Sequence, residues 1–115
     1  MDEPKRLRAV FYRTSGGAEP VREWLHGLGR PDSILIGEDL RLVEFGWPVG
    51  MPVCRPLGQG LFEVRTNLPS NRTARVIFCI EEGVMYLLQG FIKKSRATPR
   101  ADMETALARK RDLGV

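Results

Sequence analysis

A chain of 115 residues is the size of one ordinary domain, and a composition 43% hydrophobic and 28% charged is that of a soluble globular protein, which excludes a disordered chain. No apolar run approaches the roughly 20 residues of a membrane helix, and MDEPKRLR lacks a signal peptide's apolar core, so the expected compartment is the cytoplasm. The formal net charge of +4 favours an acidic partner, the more so because residues 93–111 carry seven cations against Asp102 and Glu104.

Arg8 to Thr14 is rich in β-formers and ends at Ser15-Gly16-Gly17, a strand followed by a turn. Pro20 then occupies a first helical position, with Val21, Trp24, Leu25 and Leu28 at the spacing of one buried helical face. After Gly27, Gly29 and Pro31, a second helix follows from Ile36, Leu40 and Val43, widened by Leu35 and Leu42 and stopped by Gly46. The two helices are expected to form an antiparallel hairpin. Residues 47–56 hold three prolines and a glycine and read as an extended connector, with room for an edge strand at Val53 to Leu57.

Leu61 to Thr66 and Arg72 to Ile80 alternate in polarity around a turn at residues 67–71, and Glu82-Gly83 turns the chain into a long apolar strand, Val84 to Lys93. Thr98 reads as an N-cap with Pro99 at the first helical position of a last helix, whose stripe of Met103, Ala106 and Leu107 runs down to Gly114. The expected class is α+β, one domain over residues 1–115. A small antiparallel sheet in the order β-α-α-β-β-β-α carries its helices on one face.

Alternation places Arg65 and Arg75 on the face opposite their apolar neighbours, with Lys93 at the end of the adjoining strand. Like charges side by side destabilise a sheet, which points to an anion among them. That anion is either a bound phosphate or Glu63, which shares the face of Arg65; ordinary surface ion pairs account equally well for the pattern. The run Lys93-Lys94-Ser95-Arg96 precedes a helix start, where backbone N–H groups also favour anions. His26 reads as an exposed helical residue, Trp24, Trp47 and Phe91 as core, and Cys54 and Cys79 as free half-buried thiols. Neither a phosphate loop, a nucleophile elbow nor a zinc motif is present.

Taken together, LGQGLFEVR, ARVIFCIEEG and LLQGFIKKSRATPRADMETALARK resemble the RelE/HigB superfamily of toxins from toxin–antitoxin systems, in its phage-derived HigB-like branch. The resemblance rests most on Glu63-x-Arg65, Arg75, and Phe91-Ile92-Lys93-Lys94 followed by Thr98-Pro99. It implies a ribosome-dependent endoribonuclease that cleaves mRNA in the decoding site by 2′-OH attack, with no metal and no cofactor. Arg75, Lys94, Lys93 and Glu63 are then the expected catalytic residues, and Arg55, Arg65, Arg72 and Arg96 the expected RNA-binding cations. Expected partners are the ribosome, mRNA and a helix-turn-helix antitoxin, in an assembly that includes the heterotetramer among its options. The chain has no histidine or tyrosine near its C-terminus, where some relatives carry an acid/base or stacking residue, so Glu63 and a lysine both stay open as the base. A non-catalytic RNA- or ribosome-binding module on the same fold is the alternative.

Overall fold

The computed structural model describes residues 4–93 and 98–115. Along them run β1 (Arg8–Phe11), α1 (Pro20–Gly27), α2 (Arg30–Gly46), β2 (Cys54–Gly58), β3 (Leu61–Leu68), β4 (Arg72–Glu81), β5 (Val84–Lys93) and α3 (Arg100–Leu113). The class is α+β, and every expected element is present within a few residues of its expected bounds. The proline-rich connector does end in a strand, β2, which lies at one edge of the sheet in the order β1-β5-β4-β3-β2.

Two features depart from expectation. The sheet is mixed, because β1 pairs with β5 in parallel, Arg8 opposite Val84 and Phe11 opposite Leu87, while the other three pairings are antiparallel. The helices also lie on both faces. Ala74, Val76 and Phe78 of β4 join the core that α1 and α2 cover through Val21, Ile36, Leu40 and Val43. Ile77 and Cys79, pointing the other way, pack with Leu61, Leu88, Phe91 and Ala106 under α3. A strand covered on both faces must be apolar at successive positions, which is why β4 is apolar and buried continuously from Val76 to Cys79.

Tight turns fix the register of the meander. Glu82 and Gly83 both have positive φ, 48° and 78°, the backbone of the two-residue hairpin turn that matches the twist of the strands. On β5 the register slips by one residue: Ile77 faces Gln89 while Phe78 faces Leu87. This bulge supplies α3 with both Leu88, buried in its core, and Gln89, whose amide donates to Asp102 at 2.8 Å. Arg109 of α3 donates to the Leu88 carbonyl and to Gln89 Oε1, both at 2.7 Å.

The tryptophans and Phe91 pack as expected, and His26 is exposed. Both cysteines are free and buried, in different cores on opposite faces of the sheet. Leu42, expected in the buried stripe of α2, is instead 45% exposed, because only the residues in line with Ile36, Leu40 and Val43 reach the sheet. Among the described residues, no helix is long and apolar enough to cross a membrane.

Candidate functional site

Near the start of α3, the same face of the sheet changes character. Register brings Arg55 of β2 opposite Glu63 of β3, Arg65 of β3 opposite Arg75 of β4, and Thr73 of β4 opposite Lys93 of β5. Four cations on three successive rungs of the ladder therefore share one face with a single carboxylate, in a diagonal row. The burial is unusual for charges: Glu63 is 0% exposed, Arg75 and Lys93 4% each, while Arg55 and Arg65 are half-buried.

Glu63 is held at both oxygens. Arg75 Nη1 donates to Oε1, and the Thr98 hydroxyl, from the segment leading into α3, donates to Oε2 at 3.0 Å. Among the described residues, Arg75 Nε and Arg65 Nε are buried without a hydrogen-bond partner. A buried donor left unpaired costs about 1–3 kcal/mol, and such deficits are tolerated where a site is built for a ligand more often than in an inert core. The Arg65 Nη1 contact to Met51 Sδ, at 3.8 Å, is a weak partner for a guanidinium.

Burial pulls the Arg75 guanidinium below its ordinary value; Glu63 opposes this and Arg65 and Arg55 add to it. Burial likewise lowers the Lys93 ammonium, Arg75 lowers it further, and Glu63 works in the other direction. The row is thus an electropositive, poorly hydrated place in which a lysine gives up its proton more readily than in water.

Of the residues expected from sequence, Arg55, Glu63, Arg65, Arg75 and Lys93 come together. Arg72 does not: it grips Asp32 of α2 through two bonds, 2.7 and 3.1 Å, and the Pro69 carbonyl at 3.0 Å. Lys94 and Arg96 lie outside the described residues. Thr98, expected as an N-cap, caps nothing; α3 starts at Arg100 with Pro99 at the cap position and no side-chain cap bond. Sequence reasoning missed its role because the capping rule looks only to the following residues, whereas its partner lies 35 positions back.

A family model described as Phage derived protein Gp49-like (DUF891) matches residues 23–111, from α1 to the last turns of α3. The chain belongs to the Gp49-like family. This family is associated with toxin–antitoxin systems. No curated protein matches the chain. In this Gp49-like protein the whole charged row and Thr98 fall inside the matched span.

Proposed function

We propose that this Gp49-like protein is the toxin of a toxin–antitoxin pair and a cytoplasmic, metal-independent endoribonuclease that cleaves mRNA on the ribosome, as the resemblance to RelE/HigB toxins implies. The observation that carries the reading is the row of four cations around one fully buried carboxylate on the α3 face of the sheet. Such a row is chemistry for a phosphodiester. Arg55 and Arg65, half-buried, meet the RNA backbone first, and Arg75 stabilises the extra negative charge on phosphorus as the 2′-oxygen attacks. Lys93, its proton loosened by burial and by Arg75, takes the 2′-OH proton as base. The P–O5′ bond then breaks, leaving a cyclic phosphate, and the Lys93 ammonium returns its proton to the departing 5′-oxygen. Glu63, with both oxygens engaged and no exposed surface, fits the role of holding Arg75 better than that of a base.

The second reading, a non-catalytic RNA- or ribosome-binding module, is favoured by the same burial, since Arg75 and Lys93 are covered in the free protein. Induction in cells separates the two. The toxin reading predicts growth arrest, mRNA cut at codon boundaries, and relief of both by a helix-turn-helix antitoxin supplied with the toxin. Ribosome association with intact mRNA would select the module.

A further inference from the structure

The Thr98 hydroxyl is not used where a threonine before a helix is ordinarily used. It leaves the start of α3 uncapped and goes to Glu63 Oε2 at 3.0 Å, on a strand of the sheet below. Glu63 has no exposed surface and Thr98 is half-buried, so the hydrogen bond lies at the edge of the buried site. With one oxygen taken by Thr98 and the other by Arg75 Nη1, the carboxylate cannot rotate about its last bond without losing a partner.

We infer that Thr98 is a positioning residue: through Glu63, its hydroxyl fixes the guanidinium of Arg75 and ties the entry of α3 to the sheet. Arg75 faces Arg65 directly across the β3–β4 ladder, and like charges so placed drive each other apart. Only a carboxylate that is itself immobile holds Arg75 in one orientation against that repulsion. A fixed guanidinium has its charge in place before the reaction, where reorientation would otherwise cost rate. The inference rests on the reading of Arg75 as the phosphate-stabilising group, and it adds a residue that touches neither RNA nor the reacting atoms.

The test uses full-length wild type, Thr98→Ser, Thr98→Val and Thr98→Ala. In the free protein, nitrogen-15 NMR of the arginine side chains reads rotation and hydrogen exchange at Arg75. The expected result is a slowly rotating, protected guanidinium in wild type and Thr98→Ser, released in Thr98→Val and Thr98→Ala. In cleavage of mRNA on translating ribosomes, the two variants without the hydroxyl should lose kcat on the order of 10–100-fold with KM little changed, and Thr98→Ser should retain the wild-type rate. An unchanged Arg75 signal in Thr98→Val and Thr98→Ala, or a Ser variant as impaired as the Val variant, overturns the assignment. Should neither hydroxyl-free variant fold, a freely rotating Arg75 in wild type overturns it just as well. If wild type cleaves nothing, the endoribonuclease reading falls, while the NMR result still decides whether Thr98 holds Arg75.

Discussion

The Glu63–Arg75 pair sets the terms for its neighbours. Removing one member of a buried ion pair leaves the other charge uncompensated, at a cost of about 3–5 kcal/mol, whereas replacing both by apolar groups of similar volume is often near neutral. Arg75→Met should therefore destabilise the protein by about that amount in denaturant unfolding, and Glu63→Met/Arg75→Met by much less. Additive losses in that cycle would mean the two side chains do not depend on each other. Lys93 makes a separate prediction through pH. Its folded pKa lies below the unfolded value of 10.5, so between the two the unfolded chain binds the extra proton and stability from this group rises with pH. Lys93→Met removes that penalty. Melting temperatures followed as pH rises towards 10.5 should show the variant's advantage over wild type shrinking. An advantage that grows would contradict the lowered pKa. Burial holds the Cys54 thiol up at about 11, so the unfolded thiol ionises first and lowers the stability of both proteins alike at high pH, which leaves the difference between them to Lys93.

At the scale of elements, the strands and helices were legible because each rests on a local signal: period 2 in β3 and β4, Pro20 and Pro31 at helix starts, Glu82-Gly83 at a hairpin. What was not legible depends on partners far along the chain. The parallel pairing of β1 with β5 and the placement of α3 on the second face are choices among packings that satisfy the same local patterns. Gly90 shows how such a choice is enforced. It lies on β5 under the Trp24 ring of α1, and a Cβ built there would overlap three ring atoms. Gly90→Ala should cost about 1–3 kcal/mol by forcing α1 off the sheet. Gly37→Ala, on the open side of α2 with nothing nearby, should gain about 0.5–1 kcal/mol from helix propensity. Chemical denaturation of both decides: equal effects would mean that the contact between Gly90 and Trp24 does not anchor α1.

For the molecule as a whole, the net charge of +4 says less than where the cations lie. Alternation alone placed Arg65 and Arg75 on one face with Glu63, and the structure brings Arg55 and Lys93 into the same row. Sequence could not show how deeply that row is buried or that Thr98 reaches Glu63, since both depend on contacts between residues far apart in the chain. Nor could it show that Arg72 belongs to Asp32 and the fold instead of the row. Whether this row cuts RNA is tested most directly by mRNA cleavage on translating ribosomes. The prediction is that wild type cleaves, while Arg75→Lys and Lys93→Met, each confirmed folded, lose on the order of 100-fold or more in rate. Wild-type rates in both variants would contradict it.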